Sequence, residues 1–123
     1  MFKFKRLIKS FQYAFTGLGK VFWEEQNFRL DLIITLIILF LAVYFQIKVW
    51  QFIILILVIA LVLILEIINS IFERLIDLLK PRIHEYVKDI KDMTAAAVFI
   101  GALASIIIGL LIFLPYLLAK FWQ

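Results

Sequence analysis

The chain has 123 residues, of which 66 % are hydrophobic, and a mean hydropathy of +1.10. That excess of apolar side chains points to a membrane protein rather than a water-soluble domain, and the length suits one compact unit. With no cysteine there is no disulfide framework and no thiolate metal site; the formal charge of +4 is modest, so its distribution carries more information than its size.

The first predicted element is a helix over about residues 4–22. At 100° per residue, Phe4, Leu7, Ile8, Phe11, Phe15, Leu18 and Phe22 share one face, and Lys5, Arg6, Lys9, Tyr13 and Lys20 lie opposite. A basic amphipathic helix of this kind lies in the plane of a membrane surface, drawn to anionic headgroups. It does not read as a cleaved signal peptide, because "SFQYAFTGLGK" is too polar for an apolar core region.

Three membrane-crossing helices are expected next, over about 30–47, 49–79 and 93–119. The first is short for a bilayer. The second is too long: 31 residues make a helix of about 46 Å, against a hydrocarbon core of about 30 Å. The third carries Ala97, Gly101, Ser105 and Gly109 at every fourth position, a spacing that lets helices approach closely, and Pro115 near its end, where a kink or stop is expected. Six of the thirteen Lys and Arg precede Leu30, four (Lys80, Arg82, Lys88, Lys91) lie between the second and third spans, and the first turn has only Lys48. The positive-inside rule therefore puts the N-terminus and the second connection in the cytoplasm and the C-terminus outside.

Glu66, Asn69, Glu73 and Asp77 follow directly on fourteen uninterrupted apolar residues, 52–65. Their spacings of three, four and four place them within an arc of roughly 80° on the emerging end of the overlong helix. Ionisable groups at that depth are expensive and mark function. Glu24, Glu25 and Asp31 flank the first span at the same level, and carboxylates from two helices suit a hard divalent cation such as Mg²⁺ bridging to phosphates. Basic residues in the expected loop "KPRIHEYVKDIKDM" would complement a phosphate chain, although no phosphate-binding glycine loop of the G-x-x-x-x-G-K-[ST] kind is present. On these residues alone an enzyme, an oligomeric proton- or cation-coupled transporter and a structural interaction protein remain open, the last explaining the polar stripe least well.

"EIINSIFERLID" (66–77) resembles the E-x-x-N-[ST]-x-x-E-x-x-x-D signature of the bacterial diacylglycerol kinase family, which includes the undecaprenol kinases. "EEQNFR" (24–29), His84 and "KDMTAAAV" (91–98) extend the match over almost the whole chain from Arg6. The resemblance implies one all-α integral membrane kinase domain over 1–123, a homotrimeric helical bundle of the bacterial inner membrane with active sites shared between subunits. It implies transfer of the γ-phosphate of ATP to the hydroxyl of diacylglycerol or undecaprenol, with Mg²⁺. Carried over by motif, Glu66 is the catalytic base and Asn69 positions groups near the reacting phosphate. Glu25 and Glu73 bind the metal, and Arg6, Tyr13, His84, Lys91 and Asp92 contact ATP. Glu24, beside Glu25, is a second candidate ligand, and Asp77 matches the signature with a catalytic or a structural role open. The chain departs from the family pattern at "RI" before His84 and at Ala95, where some relatives carry a small hydroxyl residue. "KPRIH" is similar to the undecaprenol branch and "KDM" to the diacylglycerol branch, so the lipid stays open.

Overall fold

The computed structural model describes residues 3–79 and 84–122, and the side chain of His84 lies outside that description together with Lys80, Pro81 and Arg82. The described residues form four helices: α1 (Phe4–Glu24), α2 (Gln26–Tyr44), α3 (Val49–Leu79) and α4 (His84–Phe121). α2, α3 and α4 are long and apolar enough to cross a membrane. Most of their large apolar side chains are exposed in the single chain, as expected of surfaces that meet lipid or other helices.

A single residue separates α1 from α2. Glu25 is extended (φ −112°, ψ 110°), and the carbonyls left over at the end of α1 need donors. Arg29, one turn into α2, supplies them: its Nη1 donates to Phe22 O at 2.7 Å and to Trp23 O at 2.9 Å. Val21, near this corner, is the buried residue of α1, and Ala14, Gly17 and Leu18 face Ile67, Ser70 and Ile71 of α3 across a shallow gap.

α2 stops at Tyr44, three residues short of the expected end at 47, for a backbone reason. Gln46 takes a left-handed conformation (φ 51°), its N–H donates to Val43 O, and the N–H of Ile47 donates to Ala42 O at 3.2 Å. These two bonds close a Schellman turn, which satisfies the last carbonyls of the helix. Gln51 starts α3 by accepting the backbone N–H of Lys48 at 3.0 Å, and the same oxygen accepts the hydroxyl of Tyr116 at 2.6 Å. A core gathers at this end of the molecule around Ala42, Leu55, Ile112 and Phe113, with the ring of Phe45 tilted against those of Phe113 and Tyr116.

α4 differs from expectation at both ends. It begins at His84 rather than near 93, with Glu85 in its first turn, where an acidic side chain favours the helix. Lys88, Lys91 and Asp92 are therefore helical residues and not loop residues. α4 also passes through Pro115 and continues to Phe121, so the helix does not stop there; so close to the end the lost hydrogen bond costs only the last turns. The small-residue row divides in use. A side chain at Gly101 would run into Leu65 of α3, so that glycine permits close approach, whereas Gly109 faces open space.

Candidate functional site

Toward the α3 C-terminus a cleft of about 500 Å³ lies between α3 and α4, lined by Asn27, Glu66, Asn69, Glu73, Asp77, Lys91, Thr94, Ala95 and Val98. Two helical periods build it. On α3 the polar side chains recur every third or fourth residue from 66 to 77, and on α4 Lys91, Thr94, Ala95 and Val98 repeat the same spacing. The Gly101–Leu65 approach sets how close the two walls stand one turn deeper.

Depth orders the acids along α3. Glu66 is half-buried, Asn69 is half-buried, and Glu73 and Asp77 are exposed. Seven residues separate Glu66 from Glu73, about 10 Å of helix rise. Asn69 bridges the interval by donating its Nδ2 to Glu73 Oε1 at 3.3 Å. The charges of Asp31, Glu25 and Glu73 all reach Glu66, and Asp31 meets it carboxyl to carboxyl. Among the described residues, none donates to the buried Asp31 Oδ2. Asp31 also lines a second opening, an apolar groove of about 450 Å³ between α2, α3 and α4 that runs to Phe113 past Ser105 and Gly109. A polar cleft and an apolar groove thus meet at the Asp31–Glu66 pair.

The residues singled out from the sequence separate into groups. Glu66, Asn69, Glu73, Asp77 and Lys91 share the cleft. Glu25 stands at the α1–α2 corner, half-buried, within range of Glu66. Glu24 faces away and forms an ion pair with Arg74 of α3. Asp92 is exposed on the first turns of α4 and does not line the cleft. Arg6 and Tyr13 lie far out on α1, which is exposed along that stretch. Arg6 precedes Glu24 by eighteen residues, about 27 Å of helix, so one chain does not gather all the candidates.

Asn27, Thr94 and Arg74 were not singled out. Thr94 sits three residues after Lys91, so helical spacing alone would have placed it on the same face once α4 was known to begin early. Its hydroxyl donates to Lys91 O at 3.0 Å, while Ala95 beside it brings a methyl group to the cleft wall. Asn27 and Arg74 depend on contacts between distant parts of the chain and carry no local signal.

The donor set bears on the expected metal. Among the described residues no group of three or more His, Cys, Asp or Glu could hold an ion by itself. Mg²⁺ does not need one: it is commonly bound through one or two carboxylates, with phosphate oxygens and water completing its shell. Glu73, with the Asn69 amide bonded to it, offers one such carboxylate in the cleft, and Glu25 at the α1–α2 corner offers a second from outside the cleft lining.

Three long apolar helices with a cleft of carboxylates, an amide and a lysine at one end define a membrane protein equipped for polar chemistry at a lipid boundary. Residues 12–113 match the sequence model of the family described as prokaryotic diacylglycerol kinase, and the chain belongs to that family. It is 34 % identical over 112 residues to undecaprenol kinase of Bacillus subtilis, covering 91 % of both chains. It is 36 % identical over 118 residues to diacylglycerol kinase of Helicobacter pylori, covering 96 % of this chain and 89 % of that one. Against diacylglycerol kinase of Synechocystis sp. the identity is 33 % over 114 residues, covering 92 % of this chain but 65 % of that longer protein. These relatives support a lipid kinase and not the transporter alternative.

Proposed function

We propose that this chain transfers the γ-phosphate of ATP to the hydroxyl of a membrane lipid, diacylglycerol or undecaprenol, at the cytoplasmic face of the bacterial inner membrane. The observation that carries the reading is the meeting of the polar cleft with the apolar groove at Glu66 and Asp31. A lipid kinase must bring a water-soluble nucleotide and a membrane-bound alcohol to one point, and this junction offers each a wall of its own kind.

In this reading the lipid tail lies along the groove and its hydroxyl reaches Glu66. Glu66 accepts the hydroxyl proton as the oxygen attacks the γ-phosphorus, and the bond to the bridging oxygen of ADP breaks. Phosphoryl transfer asks mainly for alignment and charge neutralisation. Glu25 and Glu73 would hold a Mg²⁺ ion, which supplies neutralising charge to the phosphates when bound. Asn69 orients the Glu73 carboxylate, and Lys91 faces the phosphates across the cleft. Asp77, at the exposed end of the same stripe, adds negative potential that favours a cation. α1 lies on the cytoplasmic membrane surface with its basic face toward headgroups and solvent, and the C-terminus lies outside. Arg6, Tyr13, Asp92 and His84 join the nucleotide site through a homotrimer in which neighbouring copies share sites; the distance between Arg6 and the cleft of its own chain favours such sharing.

The test is phosphate incorporation from labelled ATP into extracted lipid by the purified protein in detergent micelles, with Mg²⁺ and each lipid offered separately. Labelled product with one or both lipids is expected. No product with either would overturn the proposal.

A further inference from the structure

The ion pair between Glu24 and Arg74 has no part in the proposed transfer, yet its position is informative. Both side chains are about half exposed, at 51 % for Arg74 and 54 % for Glu24, a setting in which such pairs add little to fold stability. Glu24 immediately precedes Glu25, and Arg74 immediately follows Glu73. Consecutive helical residues point about 100° apart, so Arg74 leaves the cleft face and turns to α1 while Glu73 remains in the cleft. The pair therefore ties together the two chain segments that carry the proposed metal ligands.

The other side of the corner is held as well. Glu25 is the one extended residue between α1 and α2, its N–H donates to Val21 O at 2.9 Å, and Arg29 clamps Phe22 O and Trp23 O. Arg29 thus fixes the corner to α2, and Arg74 fixes it to α3. A carboxylate already engaged by a guanidinium is also a poor recruit for a cation, which separates the neighbouring acids: Glu24 is bound to Arg74, whereas Glu25 stays within range of Glu66 at the cleft.

We infer that Glu24 is a positioning residue and not a metal ligand, and that its pairing with Arg74 braces Glu25 beside Glu73 for binding of the metal–nucleotide complex. The inference rests on the lipid-kinase reading for the roles of Glu25 and Glu73. Partners that orient metal ligands without touching the metal typically change metal affinity by one to two orders of magnitude.

The experiment is Mn²⁺ binding in the presence of a non-hydrolysable ATP analogue, followed by electron paramagnetic resonance on the full chain in detergent, alongside lipid phosphorylation over a range of Mg²⁺. The variants are Glu24→Gln, Arg74→Gln, the exchanged pair Glu24→Arg/Arg74→Glu, and Glu25→Gln for reference. Each single change at the pair is expected to weaken Mn²⁺ binding about tenfold, with kcat at saturating Mg²⁺ within about twofold of the parent. The exchanged pair is expected to recover most of the affinity. Single variants that bind Mn²⁺ like the parent, or an exchanged pair no better than either single variant, would overturn the brace. Loss in Glu24→Gln as complete as in Glu25→Gln, without a matching loss in Arg74→Gln, would overturn it by making Glu24 a ligand. A parent chain that binds Mn²⁺ with the analogue but phosphorylates no lipid would overturn the kinase reading and leave the brace to be judged on binding. A parent chain that shows no such binding would overturn both.

Discussion

The two ends of this helix bundle are built for opposite purposes. At the end holding the α2–α3 turn, Ala42, Leu55, Ile112 and Phe113 are buried together, and Tyr116, Gln51 and Lys48 form a chain of hydrogen bonds across helices. Lys120 covers the ring of Tyr44 at 4.0 Å. At the other end a cleft opens between α3 and α4 with charged and amide side chains in its lining, and three acids crowd the charge of Glu66. Both ends bury apolar side chains, Phe28, Ile76 and Val87 at the cleft end among them, but the crowded carboxylates belong to one end alone. Crowded carboxylates are a cost to the isolated fold, and a bound cation would relieve it.

The division yields ordered expectations. The largest effect belongs to Glu66→Gln, which keeps the size of the side chain and removes its basicity. Turnover should fall on the order of 10²- to 10⁴-fold, with the thermal unfolding midpoint in detergent held or raised as one crowded charge disappears. Unfolding at a lower temperature would break the comparison by giving Glu66 a structural duty.

Ile112→Ala should do the reverse. Removing a buried side chain that does not line the groove from the core at the α2–α3 end is expected to cost about 3 kcal/mol, seen as a lower unfolding midpoint, while turnover per folded molecule in mild detergent stays near the parent value. Glu73→Gln comes next: Mg²⁺-dependent binding of an ATP analogue should weaken by roughly 10- to 100-fold, with no loss of thermal stability. The smallest effect is a gain. Gln46 holds a left-handed conformation in the Schellman turn, where glycine is at ease, so Gln46→Gly should stabilise by about 0.5–1 kcal/mol without altering turnover.

Three apolar spans and the polar stripe of α3 were legible because both are periodic along one helix, and period is what a sequence displays. The early start of α4 was hidden because residues 84–93 alternate charged and apolar side chains without a long apolar run; Glu85, Lys88 and Asp92 make them look like a solvated loop. The end of α2 was hidden by Gln46, since a left-handed turn closed by glutamine lacks the usual glycine or asparagine. In the site, the ion pair of Glu24 was out of reach, as it depends on Arg74, fifty residues along the chain. The acids of α3 were read together from their spacing, but the meeting of cleft and groove at Asp31 needed three helices in place.

Depth along α3 divides the proposed labour, with Glu73 serving the nucleotide and Glu66 serving the lipid hydroxyl. Binding of a non-hydrolysable ATP analogue with Mg²⁺ to Glu66→Gln, measured by calorimetry in micelles beside a phosphorylation assay, examines that division directly. Affinity within about twofold of the parent, with phosphate transfer abolished, is the expected result. Loss of nucleotide binding together with turnover would contradict it, because Glu66 would then belong to the nucleotide site itself.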